Sequence, residues 1–199
     1  ELMVVDNGSV GRKAKTTTHT LERNVYYGGG VNVILDYFLN QTKHKWLYVL
    51  NNDLIFHGLS FLSNSIIQVD ESDAACYSPS IINASVDQCH WKQMWNWGHG
   101  LRSVRWIDFQ APLIRRDLAE KIVQYPSELI YGWGLDFYTG CIAAKHDLKT
   151  VVSDTNTICH LNSQTFEQGK LDMTTEEFCR RAEQGMADYF SNSEYKWVY

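Results

Sequence analysis

Three aspartates, one histidine and a glycine-rich turn stand where this chain could do chemistry. Asn51-Asn52-Asp53 follows the apolar run Trp46–Leu50, and Asp6-Asn7-Gly8-Ser9 follows Leu2–Val5. Asp136 comes directly after Gly132-Trp133-Gly134-Leu135, and His160 closes Thr157-Ile158-Cys159. A carboxylate can ligate a hard cation, take a proton from a hydroxyl, or only cap a turn or helix. A lone histidine on an apolar strand can be a ligand or a core residue, and both readings stay open. Asn24-Val25-Tyr26-Tyr27-Gly28-Gly29-Gly30-Val31-Asn32 leads into Val33, Ile34, Tyr37 and Phe38 at helical spacing. Glycines opening a helix let a ligand approach N–H groups at the positive end of its dipole; the alternative is a plain flexible turn.

Holding such residues in place requires strands that end where they stand. Trp46–Leu50 is short, bulky and not at helical spacing, so it reads as a strand covered on both faces. Leu2–Val5, Ala74–Ile82, Arg105–Phe109, Thr150–Asp154 and Thr157–Leu161 read as further strands, with another near Thr17–Leu21. Helices are expected over Phe61–Val69, over Leu113–Val123 following Pro112, and over Phe137–Lys145. A capping box at Thr174-Thr175-Glu176-Glu177 starts a last amphipathic helix through Phe178, Ala182, Met186 and Tyr189. Alternating strands and helices predict an α/β fold in which helices flank a single, mostly parallel central sheet. In such a sheet ligands bind at the carboxyl ends of the strands, so Asp6, the Asn24–Asn32 turn, Asp53 and Asp136 would share one edge.

Composition narrows the partners. At 199 residues the chain suits one domain spanning 1–199. A net charge of −5, a pI near 5.8 and the absence of long basic runs point away from nucleic acid and anionic membrane surfaces. No apolar stretch approaches the roughly 18 residues that span a bilayer, and no basic-then-apolar leader opens the chain. Cys76, Cys89, Cys141, Cys159 and Cys179 are odd in number, with no CxxC pair, so free thiols in a reducing, cytoplasmic compartment are expected. Sequons at Asn7, Asn40 and Asn83 are of a kind frequent by chance. Several of the seven tryptophans gather in His90–Gly100, either as core or as a platform for a flat sugar face.

Taken in order, these motifs resemble the inverting nucleotide-sugar glycosyltransferases of the GT-A fold, in particular the family 2 group. Val5-Asp6-Asn7-Gly8-Ser9, Asn24 through Asn32, Leu50-Asn51-Asn52-Asp53, Ile114-Arg115-Arg116, Gly134-Leu135-Asp136 and Ile158-Cys159-His160 follow the family sequence over nearly the whole chain. The glycine pattern looks most like rhamnosyl- and galactofuranosyltransferases. Four departures stand out: no counterpart of the family's first strand and helix precedes Glu1, Tyr26 stands where the family often has Gly, Asn51 replaces the first Asp of Asp-x-Asp, and Leu135 replaces a Glu.

The resemblance implies a transferase moving a hexose or deoxyhexose from a UDP- or dTDP-linked donor to a glycan or glycoprotein acceptor. It implies that Asp6, Asn24, Gly29, Gly30, Asn32, Asn51 and Asn52 contact the nucleotide sugar, Asp6 at the base or ribose. Asp53 and His160 would hold Mn²⁺ or Mg²⁺, with the imidazole favouring Mn²⁺. Asp136 would be the catalytic base, with Asp108 next in line. Trp95, Trp97 and Trp133 would face the acceptor. A catalytically silent sugar-nucleotide or carbohydrate-binding module on the same fold is the alternative. A sugar-phosphate nucleotidyltransferase is disfavoured because no Gly-rich, Lys/Arg-bearing loop stands near the N-terminus.

Overall fold

The strand Ala74–Ile81 is buried at all eight positions, which only a strand covered on both faces can be. It is the spine of the computed structural model, which describes residues 1–9, 11, 13–82, 91–161 and 173–195. Asn83, Cys89 and His90 lie outside the described residues. In chain order the elements are β1 (Val5–Asp6), β2 (His19–Thr20), α1 (Tyr26–Gln41), β3 (Trp46–Tyr48), β4 (Leu54–Phe56), α2 (Phe61–Ser72) and β5 (Ala74–Ile81). There follow β6 (Leu101–Ser103), β7 (Leu113–Arg115), α3 (Arg116–Ile122), α4 (Leu135–Lys145), β8 (Lys149–His160) and α5 (Thr175–Asn192). The architecture is α/β.

Two compact units are distinguishable. One comprises Glu1–Lys43, Val123–Leu135 and Thr175–Tyr199. It carries the two-residue parallel pair β1–β2, with α1 burying Val31, Leu35 and Phe38 and α5 burying Phe178, Ala182 and Phe190. The other comprises His44–Ile122 and Asp136–Thr174 and holds a six-stranded sheet ordered β3-β7-β5-β8-β4, with β6 also on β8.

That sheet is mixed, not mostly parallel. Among the described residues its one parallel strand pair is β5–β8; β3–β7, β5–β7, β4–β8 and β6–β8 are antiparallel. The expectation failed on strands of three residues, too short to show a period of two. Leu113–Arg115, expected to open a helix, is β7, wedged between β3 and β5, and the helix starts only at Arg116. Strand structure falls at Leu101–Ser103 instead of 105–109. The Ile-Arg-Arg sequence has structural work there. Arg115 grips both carboxylate oxygens of Asp117 at 2.8 and 2.9 Å and Asp73 at 2.6 Å, while Arg116 Nε donates to the His44 carbonyl at 2.8 Å.

The two last expected strands are one, β8, interrupted by a bulge. Pro79 pairs with Ser153 but Ser80 pairs with Thr157, so Asp154, Thr155 and Asn156 are looped out of register. Pro79, which cannot donate to a ladder, stands where the register breaks. Asn156 turns inward from the bulge, 2% exposed, and its amide nitrogen donates to the Phe61 carbonyl, Ser65 Oγ and Tyr77 Oη at 2.7–3.0 Å. Tyr77 Oη in turn donates to Gln68 Oε1, tying α2 to β5 and β8. Replacing Asn156 by Ala leaves several of these buried groups unsatisfied. It is expected to cost on the order of 2–3 kcal/mol in urea unfolding, and an unchanged midpoint would show that the knot is dispensable.

Candidate functional site

Asp53 and His160 are brought together by strand pairing. Asp53 ends the turn after Asn51-Asn52 and opens β4, which lies antiparallel to β8 with Leu54 opposite His160. Leu161 N donates to the Asp53 carbonyl at 2.9 Å, extending the ladder by one residue. Across it His160 Nε2 meets Asp53 Oδ2 at 3.2 Å, with both side chains mostly buried. The hydrogen bond from His160 holds the Asp53 carboxyl below the ordinary carboxylate range, against the opposing effect of burial. Two ligands on adjacent sites of one ion, each near 2.1 Å from it, lie about 3 Å apart. The pair therefore suits one edge of a Mg²⁺ or Mn²⁺ coordination shell. Among the described residues no group of three or more His, Cys, Asp or Glu is arranged as a complete metal site. An ion here would complete its shell with phosphate and water oxygens.

The tryptophan stretch is held by a clamp. Asp154, on the β8 bulge, accepts hydrogen bonds from the N–H groups of Trp97 (3.2 Å) and His99 (3.0 Å) and from Arg102 through Nε (2.9 Å) and Nη2 (2.8 Å). Arg102 Nη2 also donates to the carbonyls of Gln93 and Trp95, and Asn96 Nδ2 donates to Ser80 Oγ and the Asp154 carbonyl. Trp97 Nε1 is fixed on the Lys92 carbonyl at 2.9 Å. The rings of Trp95 and Trp97 stack at 5.9 Å and 24°, and Trp97 remains 48% exposed. A pre-ordered, half-open indole is a surface on which a sugar face can lie. Burial alone would raise the Asp154 carboxyl; its bonds to Arg102 and to the two N–H groups outweigh that and hold it below the ordinary carboxylate range.

Asp136 stands in the first turn of α4, only 8% exposed, with Oδ1 accepting from Phe137 N at 2.8 Å. Phe137 packs edge-on against Trp106. The carboxylate thus already serves its own helix. The space beside the glycines before it is filled from within their own unit: a Cβ at Gly132 would run into Tyr27, and one at Gly134 would crowd Phe190 and Met186. Both have positive φ, 102° and 87°, which glycine tolerates. Trp133, exposed between them, belongs to the same unit.

The glycine turn also has another use than the one expected. α1 begins at Tyr26, so Gly28, Gly29 and Gly30 lie inside it. Three of its leading N–H groups are taken: Val25 N by Asn7 Oδ1, Tyr26 N by Asn24 Oδ1 and Gly28 N by the Ile130 carbonyl, at 2.8–2.9 Å. A Cβ on Gly28 would fall into the carbonyls of Leu129 and Ile130. Asn32 holds both backbone polar groups of Tyr125, donating to its carbonyl at 3.0 Å and accepting from its N–H at 2.8 Å. Asp6 Oδ1 accepts from Ser9 N at 2.7 Å, closing its own turn. Tyr26 adopts φ 57°, the left-handed region that favours glycine, and its ring packs on Tyr131 at 4.6 Å.

Sequence reasoning missed Asp154 and Arg102. The signal available was the polar triplet Asp154-Thr155-Asn156 inside a run of β-branched residues, which breaks the strand pattern where a bulge falls. Of the other expected residues, Asn52 is exposed and Asn51 is half-buried beside Gln110, whose carbonyl accepts from Asn51 N at 3.1 Å. No helix among the described residues is long and apolar enough to cross a membrane. The thiols of Cys76, Cys141, Cys159 and Cys179 are free.

No family model and no curated protein matches the chain. Among solved structures it is similar to the crystal structure of A197 from STIV, with a TM-score of 0.50 and 15% identity over 74% of each chain. That likeness is one of fold.

Two measurements test these assignments. Gly30→Ala, whose Cβ would meet only Asn7 Nδ2 at 3.7 Å, should be neutral or stabilising by up to about 1 kcal/mol. Gly28→Ala should destabilise by about 1–3 kcal/mol; equal midpoints for the two would refute the packing role. For the clamp, a carboxyl with a depressed folded pKa adds stability above its unfolded value, near 4, and loses it as pH falls through the folded value. Tryptophan near-UV circular dichroism should therefore hold from about pH 8 to about pH 5 and change only on further acidification. Asp154→Asn should alter it already at neutral pH.

Proposed function

We propose that the chain is a metal-dependent inverting glycosyltransferase of the GT-A fold, moving a hexose or deoxyhexose from a UDP- or dTDP-linked donor to a hydroxyl of a glycan acceptor. The observation that carries this reading is the Asp53–His160 pair, 3.2 Å apart at the junction of β4 and β8. In this reading the two side chains hold Mn²⁺ or Mg²⁺ against the donor diphosphate. The ion supplies stabilisation, worth several kcal/mol, of the charge that grows on the leaving group. Trp97, stacked on Trp95, receives a face of the acceptor, and the Asp154–Arg102 clamp sets the position of that ring. Asp136 takes the proton of the attacking hydroxyl.

One observation favours a second reading. Asp136 is buried in the first turn of α4 and its carboxylate is engaged with the N–H of Phe137, as expected of an acid that only stabilises the positive end of its helix in a silent sugar-nucleotide-binding module. The two readings separate cleanly. Wild-type protein should bind UDP or dTDP at least tenfold more tightly with Mn²⁺ than with EDTA in calorimetry, and Asp53→Asn should abolish that difference. Asp136→Asn should preserve metal-dependent nucleotide binding while transfer falls by at least about 10²-fold. Equal affinity in EDTA would remove the metal pair from the reading. Full turnover in Asp136→Asn would reduce that acid to a cap and move the search for the base to Asp108.

A further inference from the structure

Two amide oxygens are enclosed next to the turn that carries Asp53. Asn51 Oδ1 and Gln110 Oε1 are both shut off from solvent, and neither accepts a hydrogen bond from any described residue. Their backbones are neighbours: Asn51 N donates to the Gln110 carbonyl at 3.1 Å, and Val49 N to that of Pro112 at 3.0 Å. Gln110 is 8% exposed, between buried Phe109 and Ala111. Its amide nitrogen donates to Asp108 Oδ2 at 2.9 Å, which settles the orientation of the amide and leaves Oε1 as the unused end.

Buried acceptors without donors are costly and rare, and a pair of them on adjoining segments is what a site built around a ligand's donors leaves behind. Both acceptors are neutral amides, and the Asp108 carboxylate is already bonded to Gln110, so neutral O–H donors suit the pair better than a cation does. Asn51 lies two residues before Asp53. We infer that Gln110 and Asn51 receive hydroxyl groups of the transferred sugar, so that Gln110 reads the identity of the donor hexose. The inference rests on the assignment of Asp53 and His160 to the donor's diphosphate. A subsite that hydrogen-bonds a hydroxyl rejects analogues lacking it far more strongly than an apolar pocket rejects a missing methylene.

The test is calorimetry of the full chain in Mn²⁺ with UDP, dTDP, UDP-glucose, UDP-galactose and dTDP-rhamnose, in wild type and Gln110→Met. The sugar should raise affinity over the bare diphosphate for at least one donor. Gln110→Met should weaken that donor by about tenfold or more while leaving the bare diphosphate within about twofold. Should Gln110→Met fail to fold by circular dichroism, wild type titrated with singly deoxygenated analogues of the best donor answers the same question, one position losing about tenfold. Nucleotides that bind with no contribution from the sugar, or a Gln110→Met loss equal for donor and bare diphosphate, overturn the subsite alone. A crystal structure of the donor complex in which only an ordered water meets the two oxygens does the same. Failure of every nucleotide to bind overturns the reading of Asp53 and His160, and the subsite with it.

Discussion

The bulge in β8 is the constraint on which the larger unit depends. β8 pairs with β5 from Lys149 to Ser153 and again at Thr157 and Ile158, and its other edge is shared, with β6 pairing Val151–Ser153 and β4 pairing Ile158–His160. Between the two stretches Asp154, Thr155 and Asn156 leave the ladder. Three residues taken out of an apolar strand would be expensive if their polar groups were unpaired. Here they are paired on both sides. Asn156 is bonded among Phe61, Ser65 and Tyr77, Asp154 among Trp97, His99 and Arg102, and Ser153 Oγ accepts the Asn156 N–H at 3.1 Å. The same local irregularity therefore orders the tryptophan segment and sets the register in which His160 faces the β4 turn.

This dependence shows why the individual acids were easier to find than the sheet that carries them. Asp53 and His160 sit at the ends of apolar runs, and the resemblance read from the sequence already put them together. The sheet was not legible, because β3, β4, β6 and β7 are three residues each. Over three residues a helix start and a strand are indistinguishable, as Leu113–Arg115 shows. Direction is no easier: parallel and antiparallel neighbours differ in connection, and β3 and β4, consecutive in the chain, stand at opposite ends of the strand order.

The glycines teach the opposite lesson. Gly28-Gly29-Gly30 carries a strong local signal, and the anion-cradle reading is the natural one because helix N-termini do bind phosphate. Yet the N–H groups of Val25, Tyr26 and Gly28 at the start of α1 are already taken by Asn7, Asn24 and the Ile130 carbonyl, and the missing Cβ at Gly28 is what lets the 129–130 backbone approach. The motif was legible, but its partner, the backbone at Leu129 and Ile130 far downstream, was not. Asn32, bonded to both polar groups of Tyr125, makes the same point: an asparagine that a ligand motif would claim is holding a backbone.

The Asp53–His160 contact bears on what a metal would ask of the protein. Two exposed side chains must lose rotamer freedom before they can share an ion, and that loss opposes binding. Here the cost is met on folding, because a 3.2 Å hydrogen bond within a β-ladder already holds both groups near the separation that adjacent ligands require. The bond also makes the ionised carboxylate the favoured form, which is the form a hard cation needs. An ion there would have to displace the N–H that His160 donates to Asp53. A pair so arranged would enter an octahedral shell as two adjacent ligands, already held in place by the strand pairing.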